Sequence, residues 1–327
     1  MKTFPNNAKA LRATLFLASS AAAIAIASPA FADATAPCNT NAGPDGIAGN
    51  ADDVTDSTEC GVNASATGAG ATAVGVGATA AGGNAVAIGR GAIAPTTGSV
   101  SIGVNATTAT IGATPSGAAS LGTAVAIGNA AKATQEDAVA LGDLANASGF
   151  HATAIGGESV ASGVGSQAFG WQANASGRTA VAVGHQANAA GFEATSVGKS
   201  AQAGGTNSAA LGSRANAAGI NSVAIGNGAV TADGTTPSGA ASTGTAVAVG
   251  NLAQATAEDA VALGDQANAS GFHATAIGGE SVASGVGSQA FGWQANASGF
   301  HATAVGGESV ACRSGRHGPE RCGHCAV

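Results

Sequence analysis

The chain has 327 residues, of which 52 are Gly; 9% are charged, 3% are aromatic and none is Tyr. A conventional large core is excluded, because the 45% hydrophobic content comes mostly from Ala and few bulky side chains remain to offset the entropy of ordering so much Gly. Leaving out the three basic residues of the first 32, the 11 Lys+Arg become 8 against 18 acidic residues, a net charge of -10 that argues against nucleic acid or anionic lipid as partner.

Residues 1–32 read as a signal peptide. Lys2, Lys9 and Arg12 form a basic start, Leu15 to Ile26 an apolar centre, and Ala30-Phe31-Ala32 a small-residue cleavage site, so cleavage is expected after Ala32. The apolar stretch, interrupted by Ser19 and Ser20, is short for a membrane span. The next segment, 33–61, is Gly/Asp-rich and bounded by Cys38 and Cys60. In an exported protein these two are a disulfide candidate; two free thiols are the alternative. Asp45, Asp52, Asp53 and Asp56 stand near Gly turns, but their spacing fits no EF-hand, and a solvated acidic turn is the plainer reading.

From 62 to 311 the chain is repetitive. Aliphatic-Gly pairs recur at Leu141-Gly142, Ile155-Gly156, Phe169-Gly170, Val183-Gly184, Val197-Gly198, Leu211-Gly212 and Ile225-Gly226, 14 residues apart each time. A second glycine, at Gly149, Gly163, Gly177, Gly191, Gly205 and Gly219, divides each repeat into halves of seven. Both halves alternate in period two, as in Val181-Ala182-Val183 and Ala215-Asn216-Ala217. Alternation with Gly at both corners predicts two strands of about five residues per flattened coil, stacked about 4.8 Å apart. The fold class is therefore all-β: a parallel β-solenoid of 14-residue repeats. A Gly every seventh residue counts against helix, although Ala favours it. Phe169 is expected in the core, with Trp171 beside it on the opposite face or turn. Because a chain so rich in Ala buries only a thin core alone, an obligate oligomer is expected.

The phase breaks twice. Gly103 to Gly128 spans 25 residues and Gly226 to Gly250 spans 24, each containing Thr-Pro-Ser-Gly, so loop insertions are expected near 104–122 and 227–244. They belong to a duplication: 115–177 recurs at 237–299 with six differences. After Ala311 the pattern gives way to a Cys/Arg-rich tail, 312–327, whose composition points to a frameshift or gene-prediction error.

The repeats resemble the head of the YadA-like trimeric autotransporter adhesins. The resemblance rests on Asn221, Ser222, Val223, Ala224, Ile225 and Gly226, which match the family's NSVAIG motif, with variants at Asn84 to Gly89, Thr123 to Gly128, Ala138 to Gly142 and Thr245 to Gly250. It implies a left-handed β-roll assembled as a homotrimer at the cell surface or outer membrane. The partners it implies are host matrix proteins of the collagen, fibronectin or laminin class, or like cells in autoagglutination and biofilm formation. The family's coiled-coil stalk and membrane anchor have no counterpart in this sequence, which reads as truncated before them.

Little here points to catalysis, and no cofactor is expected. Cys312, Cys322 and Cys325 with His317 and His324 have zinc or redox spacing but no surrounding fold. His151, His273 and His301 recur with Glu158, Glu280 and Glu308; a metal or proton ring is conceivable in a trimer, but copied surface residues are the plainer reading, so no metal site is expected. The slot two before the aliphatic residue holds Thr153, Gln167, Val181, Thr195, Ala209 and Val223, which is no threonine ladder for ice. Ligand-contact candidates are the NSVAIG residues 221–226 with Trp171 and Trp293, interchain packing being the plainer reading for the Trp pair. The expected function is an adhesin head. The alternative is a structural spacer or surface fibre with no ligand of its own.

Overall fold

Two short strands and two corners make one coil, and the coils are laid on one another without a helix among the described residues. The computed structural model describes Cys38, residues 57–108, 123–232 and 245–312, all within the unit Cys38–Val327. The cleavage site after Ala32, the acidic loop at 45–56, the Thr-Pro-Ser-Gly elements and the tail beyond Cys312 lie outside the described residues.

One coil serves for all. Val181–Val183 forms a strand, Gly184 opens the first corner, Asn188–Ala189 forms a second strand, and Gly191 opens the second corner. One repeat later, Val181 pairs with Thr195, Ala182 with Ser196 and Val183 with Val197, all parallel, while Asn188 pairs with Gln202. Two parallel ladders result, each of seventeen strands among the described residues. Strands are three and two residues long rather than five, because the corners use more of each repeat than the alternation shows.

The corner backbone is also paired from coil to coil: Gln186 N–H donates to the Trp171 carbonyl at 2.9 Å, as Val181 N–H does to Ala194 at 2.9 Å. Few backbone groups in the stack are left to water. The two glycines of a repeat serve different needs. Gly184 adopts φ +130°, closed to side chains, whereas Gly191 has an ordinary φ but a Cβ there would strike the carbonyl oxygen of Gly205.

The interior is built from the smallest side chains. Ala180, Ala182, Ala187 and Ala189 have no accessible surface, and the largest fully buried side chains among the described residues are Thr108 and Thr231. Every fully buried hydrophobic residue described is Ala. Phe169 is therefore not core: it points outward and is only partly buried, since the coil has no room inside for a larger group. Period two was legible from the sequence, and its inner face is the alanine face.

The ladder begins at Thr58–Cys60, paired with Thr72–Val74, inside the segment 33–61. It passes the insertions without a break, with Val100 paired to Val125 and Val223 to Val247. Thr107–Thr108 and Val230–Thr231, within the expected loop ranges, are regular strands paired to the next coil. The regular coil therefore continues through Thr108 and Thr231, past 104 and 227.

Candidate adhesive surface

Residues flanking the small central residue, Ala or Ser, of the three-residue strands from Thr72–Val74 onward point outward. In register they form two columns, one running Ile88, Ile102, Ile127, Leu141, Ile155, Phe169, the other Val86, Val100, Val125, Val139, Thr153, Gln167. Seventeen strands at about 4.8 Å per step make this stripe about 77 Å long. It stays half in water, as Ile225 at 37% exposure shows. An apolar strip of this length exceeds what a monomer ordinarily leaves uncovered.

The second ladder shows a different outer face. Lys132, Asn146, Val160, Asn174, Asn188, Gln202 and Asn216 follow one another, mostly polar. Polar ladders also run along the corners: Gln186 Nε2 donates to Gln172 Oε1 at 2.9 Å, and Gln172 Nε2 to Glu158 Oε2 at 2.7 Å. Asn251 donates to Asp265 at 2.8 Å; that bond and a second from Gln266 hold the Asp265 carboxyl below its ordinary value.

Position by position, the NSVAIG segment divides by role. Asn221 takes φ 55°, a left-handed corner that Asn tolerates, and accepts a bond from Asn207 Nδ2 at 3.0 Å. Ser222 is buried, its hydroxyl donating to the Gly219 carbonyl at 2.7 Å, and Ala224 fills the core. Gly226 takes φ 132°. Val223 and Ile225 alone face outward from the strand. Most of the motif is thus a folding instruction.

Trp171 and Trp293 stand on corners and are 44% and 52% exposed. The Trp171 ring lies 4.7 Å from that of His185. Gly157, one coil earlier, leaves room for it, since a Cβ there would meet Trp171 Cδ1 at 3.3 Å. The sulfurs of Cys38 and Cys60 are bonded, tying residue 38 to the first strand; Cys312 is a free, exposed thiol.

The repeated histidines do not meet the glutamates seven residues on. His151 Nε2 faces Asp137 Oδ2 at 3.7 Å and His273 Nε2 faces Asp259 Oδ2 at 3.4 Å, each one coil earlier. Those carboxylates stand 14 residues before the histidines, a spacing visible in the sequence once partners are sought one repeat away.

Eight segments of the chain, 66–92, 123–145, 147–173, 175–201, 189–215, 203–229, 244–267 and 269–295, match the YadA head domain repeat (2 copies), and together they exceed half its length. The chain belongs to the YadA head-repeat family. Among solved structures it is similar to the collagen-binding domain of the Yersinia adhesin YadA, at 24% identity over 62% of this chain and 72% of that chain, with a TM-score of 0.19. Nothing among curated proteins matches. Heads of this family are cell-surface adhesins, and the alanine-cored coil is the repeat on which this one is built. Among the described residues no helix is long and apolar enough to cross a membrane.

Proposed function

We propose that this YadA-type head works as a homotrimer attached to a bacterial surface, binding host matrix protein or cells and joining like cells in autoagglutination and biofilm. The observation that carries the reading is the apolar stripe outside an alanine core. One chain leaves Ile88, Ile127, Ile155, Ile225 and Ile277 more than a third exposed. Three chains packed stripe to stripe remove that surface from water, at roughly 25 cal/mol per Å² buried. The polar second ladder and the corners then stay outside, repeated on every coil and in three copies. Weak contacts repeated in this way add through avidity. Collagen, the ligand named for the Yersinia domain, is the first matrix protein to test, followed by fibronectin and laminin.

Surface plasmon resonance of the purified chain over immobilised collagen, fibronectin and laminin, with bead agglutination in parallel, tests this. Saturable binding to one of them, or agglutination, supports adhesion. Failure in every arm leaves the second reading, a spacer, which is favoured by the structural roles of Asn221, Ser222, Ala224 and Gly226. Deleting 115–177 would then shorten the fibre and change nothing else.

A further inference from the structure

The strongest group of metal-ligating side chains among the described residues lies where the first insertion rejoins the stack. Thr123 and Thr245 are the first described residues after the two insertions. One coil on from each stands Asp137 or Asp259, and one coil further His151 or His273, so Thr, Asp and His form a column across three coils. All four Asp and His residues sit at left-handed corners, φ 51–55°.

The column is held in place. The Thr123 backbone N–H and hydroxyl both donate to Asp137 Oδ1, at 3.2 and 3.3 Å, and those of Thr245 donate to Asp259 Oδ1, both at 3.0 Å. With Oδ1 occupied, Oδ2 turns to the histidine. The separations of 3.7 and 3.4 Å are long for a hydrogen bond. They fit two donors on one zinc ion: bonds near 2.1 Å in tetrahedral array put neighbouring donors about 3.4 Å apart.

Glu136 supplies a third donor. One of its carboxylate oxygens, one of Asp137 and one imidazole nitrogen of His151 lie within 4.8 Å of one another. Its Oε2 is buried with no hydrogen-bond partner, and Glu258 Oε2, in the second copy, is in the same state. A carboxylate oxygen withdrawn from water without a donor is costly, and a cation removes the cost. At the first insertion a Glu136 carboxylate oxygen, an imidazole and an anchored carboxylate converge, which is a donor set and more than an acidic patch; the Glu258, Asp259 and His273 side chains of the second copy do not close to the same spacing.

We infer that Glu136, Asp137 and His151 bind a divalent transition-metal ion of the zinc type. Two carboxylates and one imidazole suit such an ion and leave a coordination position open to water or a further ligand. Because the carboxylates belong to one coil and the imidazole to the next, the ion cross-links two coils at the base of the first insertion. His301 provides an internal control. Gly287 stands one coil before it where Asp137 and Asp259 stand in the other two, so it has no carboxylate there.

The test uses the full chain with its tail silenced by Cys312→Ser, Cys322→Ser, Cys325→Ser, His317→Asn and His324→Asn, so that tail thiols and imidazoles do not compete. Zinc chloride alone is titrated by calorimetry and equilibrium dialysis. One ion per chain is expected with micromolar affinity, and none after His151→Asn. His273→Asn should leave that ion in place. Asn is chosen because it accepts the left-handed corner, so circular dichroism should not change. Glu136→Gln with Glu258→Gln, exposing no new shape, should weaken binding with the fold intact. Zinc should also raise the unfolding temperature of the parent and not of the His151→Asn variant. An ion still bound after His151→Asn, affinity indifferent to the His151 and Glu136 changes, or no binding at millimolar zinc would overturn the inference.

Discussion

Ala224 and Ile225 are neighbours in the chain on opposite sides of the coil wall: the first has no accessible surface, and the second projects outward, half in water. The same inversion of size recurs along the ladder from Thr72–Val74 to Thr303–Val305. A tube this narrow takes only Ala, Ser or Thr inside, and each larger side chain is left for an outer contact.

Ala224→Leu should therefore destabilise the chain far more than Ile225→Ala. Overpacking a filled interior costs about 1–3 kcal/mol, whereas Ile225 gives up little burial within its own chain. Because repeat arrays open locally, hydrogen exchange of coils 209–225 and 247–263 reads the difference better than one global melt. Equal loss of protection in both variants would contradict the alanine-core assignment.

Two glycines should behave oppositely. Gly191→Ala puts a Cβ into the Gly205 carbonyl and should cost about 1–3 kcal/mol, as overpacking does. Gly77 has φ +66° with nothing within 4 Å of a new Cβ. Gly77→Asn should fall within about 0.5 kcal/mol of the parent, as exposed changes do. Thermal unfolding of the two variants side by side measures this.

Cys38→Ser with Cys60→Ser should loosen the start of the stack. The bridge closes a 22-residue separation, for which chain entropy gives about 3 kcal/mol. The loss should appear as fraying of Thr58–Cys60 and Thr72–Val74, seen by hydrogen exchange or limited proteolysis, with the central coils unchanged.

Asp265 titrates below its ordinary value because Asn251 and then Gln266 donate to its carboxylate. A lowered value in the folded state means stability that is present above the ordinary carboxylate range and lost as pH falls through the lowered one. Asn251→Ala should return the Asp265 titration toward the ordinary value, followed by carboxyl NMR. Since the group is exposed, the effect on unfolding should be small and weaken with salt.

The solenoid was legible in the sequence because a strict 14-residue register with alternation in both halves admits few other folds. The strands proved shorter because left-handed corners at residues such as Leu144 and Thr179, φ 56° and 53°, carry no composition signal. Phe169 was misplaced because alternation states that two faces differ and leaves open which is inside; the width of the coil decides that. The Glu136, Asp137 and His151 group escaped notice because its members are neighbours across coils, and a motif sought within one repeat does not contain them.

If the outer stripe is covered by sister chains, acrylamide should quench Trp171 and Trp293 differently in assembled and separated chains. Separation can be forced by Ile155→Glu with Ile225→Glu, which places charge in the stripe. Quenching equal in both states would set these residues outside the interchain contact and leave them free for ligand.

The most direct measurement is the mass of the purified chain in solution by sedimentation equilibrium. The stripe predicts an assembly of three chains of 30.2 kDa each, reduced to a single chain by Ile155→Glu with Ile225→Glu. A folded parent that sediments as one chain would contradict the account.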